Sequence, residues 1–384
     1  MRICILSNDN TPLGFMDNDL PGALHFYDDK LHVYLEGTAH TFEFSAREDH
    51  EDAQLLEVGN KLSFVYNGKP YYLNIMSTEQ TETEIKVEAW AFALELLNET
   101  AAAYSAASAM TFVQYIKAFS FDFDIMELGI NEVSQKSITY EWTSDSDSIL
   151  KRLYSLANVF DAEIELVPRL NRDYTLDKIV LNVYRAHSDS YQGIGQRRDD
   201  QRYRYGHGIE GVTRKQDITE LYTSIRAYGA DDLTIASIGA REHKDSDGQV
   251  AYTHASGSRT IYAPLAAQRF PSTIGDGRYI AYIWSTDYKD AETLYSNALA
   301  KLKEISEPKC EYEIKGYVDV NIGDTVTIVD EAFNPPLYLD TRVVEQEISF
   351  TDSTKNSTTF DNAAEIGSGI TAFKSYVSAG TLYL

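Results

Sequence analysis

Cysteine is nearly missing from this chain: Cys4 and Cys310 are the only two in 384 residues. Two thiols are too few for a disulfide framework. Cys4, inside the apolar run Ile3-Cys4-Ile5-Leu6, reads as a small core hydrophobe. Long hydrophobic runs are missing too. No stretch approaches the roughly 20 apolar residues that a membrane-spanning helix needs. The start, Met1-Arg2 followed by four apolar residues, is too short for a signal peptide, so folding in a cytoplasm is expected. Basic residues are scarce: 34 Lys and Arg stand against 59 Asp and Glu, a net charge of −25 with a pI near 4.6. Such a field repels polyanions, which argues against stable nucleic-acid binding and against docking on an anionic lipid surface.

Catalytic signatures are also lacking. The eight histidines (His25, His32, His40, His50, His187, His207, His243 and His254) form no His-x-His and no His-Glu-x-x-His, so the helical zinc-peptidase pattern is absent. His25/Asp29 and His243/Asp247 have a His-x-x-x-Asp spacing, which chance supplies in a chain this rich in Asp. Asp17-Asn-Asp19-Leu-Pro21-Gly22 begins like a calcium loop. Pro21 falls on the third ligand position, though, and Asp28 on the twelfth, so a β-turn is expected instead. There is no Gly-x-Ser-x-Gly and no Gly-x-x-x-x-Gly-Lys. Carboxylate pairs such as Asp122/Asp124 and Asp145/Asp147 are unavoidable among so many acidic residues. No catalytic, cofactor-binding or metal-binding residue is assigned, and no cofactor is expected.

What is present is a folded, β-rich pattern. Hydrophobic residues make up 43% and mean hydropathy is −0.34, which is a globular composition of two to four domains for this length. The 27 tyrosines suit half-buried strands and subunit contacts. Residues 1–98 read as short strands: Arg2–Leu6, Leu31–Leu35, His40–Phe44, Lys61–Tyr66, Tyr71–Met76 and Glu84–Trp90. They predict a barrel or sandwich. The clearest element is the hairpin about Asn67-Gly68, a dipeptide suited to a type I′ turn. Its register sets Phe64 opposite Tyr71 and Leu62 opposite Leu73.

Helical spacing begins after Asn98, with Ala109, Phe112, Val113, Ile116 and Phe119 on one face. A second helix starts from a capping-box-like Ser144 and Asp147, and Ile149, Leu150, Leu153, Leu156, Ala157 and Phe160 form its apolar stripe. Strands at Ala162–Val167 and Lys178–Tyr184 make this region α+β. Residues 188–207 are polar, carry Arg197, Arg198, Arg202 and Arg204 beside Tyr203 and Tyr205, and read as an exposed connection. Basic residues alternating with aromatics can form a single-strand platform, but Asp199 and Asp200 inside the cluster favour local ion pairing. Strands at Gly211–Val212 and Tyr222–Tyr228 follow, then a hairpin signal at Asp247-Gly248. A third helix is expected from about Asp287 to Ile305, before Pro308. Further strands fall at Glu311–Lys315, Thr325–Val329 and Leu337–Phe350, and residues 363–384 are Ala/Gly/Ser-rich.

Three stretches carry a resemblance. They are the helix-to-strand segment Ser146–Glu165, the segment Gly211–Gly229 (GVTRKQDITELYTSIRAYG), and Gly323-Asp-Thr-Val-Thr-Ile-Val-Asp330 followed by Thr341–Phe350 and Phe360-Asp-Asn362. Their order and spacing resemble the tail-associated lysin, or prophage endopeptidase tail, family of siphophages over roughly residues 1–362. The resemblance implies a β-rich α+β hub with a β-barrel-like domain at 1–98, an α+β domain at 99–206, a second β-barrel-like domain at 207–286, and an α+β domain with an extension at 287–384. It further implies a homotrimeric ring on a hexameric distal tail protein, with tape-measure and receptor-binding proteins as further partners, and a place in the virion tail tip. Longer members carry a lytic domain after the hub. This chain reads as the short form without it, hence not an enzyme; a cell-wall hydrolase or a host-polysaccharide-binding module is the alternative.

Overall fold

The computed structural model describes residues 1–35, 40–91, 99–121, 124–188, 190–245, 248–274, 278–334 and 336–361, with the backbone of 364–365. The chain divides into two compact units, one of Met1–Val212 with Ile314–Leu384 and one of Thr213–Glu313.

The first unit opens with β1 (Arg2–Leu6), β2 (Pro12–Asp17), β3 (Phe26–Tyr34), β4 (Thr41–Arg47), β5 (Lys61–Tyr66), β6 (Lys69–Gln80) and β7 (Glu84–Ala91). The β5–β6 hairpin has the register its sequence predicts, Phe64 opposite Tyr71 and Leu62 opposite Leu73. Asn67 (φ 46°) and Gly68 (φ 75°) are both left-handed, as a type I′ turn requires. Phe64 stacks on Tyr71 at 5.0 Å. Phe26, Phe42 and Phe64 gather around Phe350 at ring distances of 5.7–6.4 Å, so alternate residues of β3, β4 and β5 share one core with the far end of the chain.

A helical layer follows: α1 (Phe112–Ala118), β8 (Met126–Asn131), α2 (Ile149–Val159), β9 (Ala162–Leu170) and β10 (Leu176–Arg185). Thr111 and Gln114 form a reciprocal capping box on α1. Ser148, not Ser144, caps α2 by accepting from the Lys151 amide. All six residues of the expected α2 stripe are buried, and they pack on β9 and β10, which pair antiparallel while β8 joins β10 in parallel.

Residues 188–207 are not a free loop. Arg197–Tyr205 forms strand β11, parallel to a later strand, and β12 (Gly208–Asp217) leads into the second unit. There β13 (Ser224–Tyr228), β14 (Arg241–Lys244), β15 (Val250–His254), β16 (Thr260–Tyr262) and β17 (Ala281–Ser285) form a sheet in the order β14-β15-β16-β13-β17. The short helix α3 (Pro264–Arg269) packs on β15. Helix α4 (Ala291–Ile305), capped by Asp290, covers one face of the sheet through Leu294, Tyr295, Ala298 and Leu302. The hairpin expected about Asp247-Gly248 joins β14 to β15, although Asp247 lies outside the described residues.

The chain returns along β18 (Lys309–Gly316) to β19 (Thr325–Asp330), β20 (Leu337–Ile348) and β21 (Ser357–Phe360). β20 bridges two sets of strands, pairing with β19 through residues 337–342 and with β3 through residues 345–348. The resulting order is β2-β1-β5-β6-β7-β4-β3-β20-β19-β11-β12-β18. This corrects the barrel expectation. Among the described residues β3 bonds onward to β20 instead of back to β2, so the sheet is extended and no barrel closes. Residues 207–286, expected as a second barrel, supply an open sheet backed by a helix. Of residues 363–384, only 364–365 are described, beside Leu339 and Asp340.

Candidate functional site

The residues weighed for chemistry have separate structural tasks. His25 Nε2 lies 3.1 Å from the Leu20 carbonyl oxygen. Asp29 is buried and accepts from Ser349 Oγ at 3.0 Å and from the amides of Phe350 and Thr351. His243 Nε2 sits 3.1 Å from Tyr295 Oη. The Asp17 carbonyl accepts from the Leu20 amide at 3.2 Å, which makes the calcium-like segment a turn. Asp147 pairs with Lys151 at 2.6 Å, and that bond holds its carboxyl below the usual range. Asp145 is exposed, the Asp124 carbonyl accepts from Lys178, and Asp122 lies outside the described residues. Among the described residues no group of three His, Cys, Asp or Glu could hold a metal ion. No helix there is long and apolar enough to cross a membrane.

The arginine-rich strand β11 is matched by carboxylates on its own and neighbouring strands. Arg197 bridges Asp199 (2.8 Å) and Asp340 (2.5 Å), and Arg198 bridges Asp200 (2.9 Å) and the buried Asp324 (3.4 Å). Arg204 lies 3.8 Å from Glu331. Arg198 is the least exposed of the three, while Arg197 and Arg204 keep 41% and 55% of their side chains exposed.

A polar clamp that no motif announces joins β9 to β20. Arg342 donates from both terminal nitrogens to Glu163, at 2.7 and 2.6 Å. Two further donors reach the carbonyls of Gly323 (3.0 Å) and Ile194 (2.7 Å). Glu163 in turn accepts from the amides of Ile194 (2.8 Å) and His187 (3.0 Å). Burial pushes its carboxyl up, but Arg342 and the two amides outweigh it and leave the group below its ordinary value. The partners are 179 residues apart, so spacing could not reveal them. Both strands carry other charged residues, Glu165 and Arg169 on β9 and Asp340, Glu345 and Glu347 on β20, so composition did not single the pair out either.

Beside the clamp lies a cavity of about 260 Å³ lined by Tyr34, His40, Lys69, Tyr71, Ile164 and Glu165 among others. Lys69 and Glu165 pair across it at 3.3 Å, and burial pushes the His40 imidazole down to about 4. His40 Nδ1 accepts from the Tyr34 amide. These groups hold neighbouring strands together. Charge is unevenly divided. Residues 213–313 hold 12 basic and 15 acidic side chains, a net of −3, which leaves −22 on the rest of the chain.

The prophage tail protein gp18 from Listeria monocytogenes EGD-e has the same fold at a TM-score of 0.51, with 10% identity over 99% of both chains. The 43 kDa tail protein of prophage MuSo2 from Shewanella oneidensis aligns at a TM-score of 0.49, with 10% identity over 94% of this chain and 97% of that one. A tail protein from Neisseria meningitidis MC58 gives 0.45, with 12% identity over 94% and 96%. No curated protein matches. Residues 196–366 match the family model described as the prophage endopeptidase tail. That match includes the segments at 211–229 and 323–362, while the 146–165 segment lies outside it.

Proposed function

We propose that this protein is a tail-tip hub: three copies form a ring that seats on the hexameric distal tail protein and closes the tail tube until genome ejection. The observation that carries the reading is the family match over residues 196–366. It is supported by the internal pairing of the Arg-rich strand and of Glu163 with Arg342, which leaves architecture as the use of these polar groups. A closed cyclic ring avoids open-ended growth. Light scattering after size exclusion, at micromolar protein with distal tail protein added, is expected to give the mass of three chains. A monomer under every condition would sink the hub reading.

The family description contains the word endopeptidase, so the hydrolase alternative needs its own test. Host cell walls in a zymogram are expected to remain uncleared, with or without zinc. Clearing that is lost on His243→Ala would make the chain an enzyme.

A further inference from the structure

Sheet edges in this protein differ in how they are protected. A free edge presents unpaired N–H and C=O groups, and proteins blunt such edges with charge or proline. β2 begins at Pro12, β18 carries Lys309, Glu311, Glu313 and Lys315, and β14 reads Arg241-Glu242-His243-Lys244. β17 and β8 have neither proline nor a run of charge, and β8 carries only a register irregularity between Leu128 and Asn131. From Tyr279 to Thr286 there is no charged residue, and Ile283 at the centre of β17 is 65% exposed. β8 has one charge, Glu127, bound by Arg169 at 2.8 Å, and leaves Leu128 and Ile130 41% and 48% exposed. Among the described residues each strand is paired on one side alone, β17 with β13 and β8 with β10.

We propose that β17 of one copy pairs with β8 of the next, so that the two unprotected edges form the contact between copies of the ring. The inference rests on the ring reading above. Charge selects the occupant: copies at −25 each repel one another, so contact is least costly where charge is missing. Pairing β17 with β8 also sets the near-neutral residues 213–313 against the acidic unit of the neighbour instead of joining two acidic units. Backbone hydrogen bonds supply affinity in strand addition, and alternate side chains, here Ile283, Leu128 and Ile130, set the register. Because the two edges differ, the contact is head-to-tail, the geometry that closes a ring.

The test uses the full chain with exposed Cys310 replaced by serine. The double variant Leu128→Cys with Ile283→Cys, assembled and oxidised, is expected to run as a covalent trimer on a non-reducing gel, while each single variant stays monomeric. Leu128→Cys with Ile274→Cys is the control, since Ile274 is 99% exposed and outside the strands. Ile283→Lys is expected to weaken assembly at least about tenfold, and Ile274→Lys to leave it unchanged, both with unaltered circular dichroism. A ring that assembles without linking in the double variant overturns this contact and leaves the hub reading standing. Cross-linked dimers from Ile283→Cys alone overturn it in favour of a two-fold contact. A chain that stays monomeric even with distal tail protein takes down the ring reading and this inference with it.

Discussion

Glu163 and Arg342 are buried, bidentate and surrounded by backbone partners. The free energy of such a pair lies mostly in what happens when it is broken, because a charge left alone in the interior has no water to return to. Arg342→Met is therefore expected to cost about 3–5 kcal/mol in urea unfolding. Adding Glu163→Leu should recover much of that loss, and a double variant no better than the single would show that the Arg342 stem, not its charge, matters. His40 gives a pH signature of opposite origin. Burial lowers its folded value to about 4, so the unfolded chain takes up a proton near 6.5 while the folded chain does not. Stability contributed by neutral His40 is thus full above about pH 6.5 and declines towards pH 4, by about 3 kcal/mol at the lower limit. His40→Asn, which keeps an acceptor for the Tyr34 amide, should flatten that part of a melting-temperature profile. An unchanged slope would assign it to other groups.

The α2 helix shows what element-level packing contributes. Leu153 is fully buried between α2 and the β9–β10 pair, and truncating a buried leucine typically costs ~2–5 kcal/mol. Leu153→Ala is expected to lower the melting temperature while the protein still assembles in the cold. The stripe that predicts this was legible because helical periodicity is a local property, and so was the β5–β6 hairpin, whose turn chemistry sets register within a few residues. The start of α2 was misplaced because Ser144 and Ser148 both suit a cap, and only the Lys151 amide at 3.3 Å from Ser148 Oγ decides between them. Strand β11 was unreadable for a different reason. Its sequence, RRDDQRYRY, has no apolar alternation, and its strand partner β19 and the carboxylates of Asp324 and Asp340 that meet Arg198 and Arg197 all lie more than 100 residues later. The barrel expectation failed for the same reason: the strand that extends the sheet beyond β3 begins at Leu337.

At the scale of the molecule, charge governs what the protein meets. A net −25 per chain opposes both DNA capture and self-association, and salt screens the second over about 8 Å at physiological strength. Fluorescence anisotropy with labelled single- and double-stranded DNA near 0.15 M salt is expected to show no saturable binding, since the 34 Lys and Arg side chains that could release counterions are outnumbered by 59 carboxylates. Micromolar binding lost on Arg202→Glu with Arg204→Glu would make β11 a nucleic-acid site after all.

Strand β3 finds its neighbour β20 more than 300 residues downstream, Tyr34 opposite Glu345. On a ribosome adding ~5–20 residues per second, the first strands therefore wait roughly 15–60 s for the segment that covers their edge. Residues 213–313 are complete 24 residues before Leu337, only about 1–5 s earlier at that rate. The protein is thus born with its oldest strands finished last, so a nascent chain stalled before Leu337 would present β3 to whatever chaperone or stray strand reached it first.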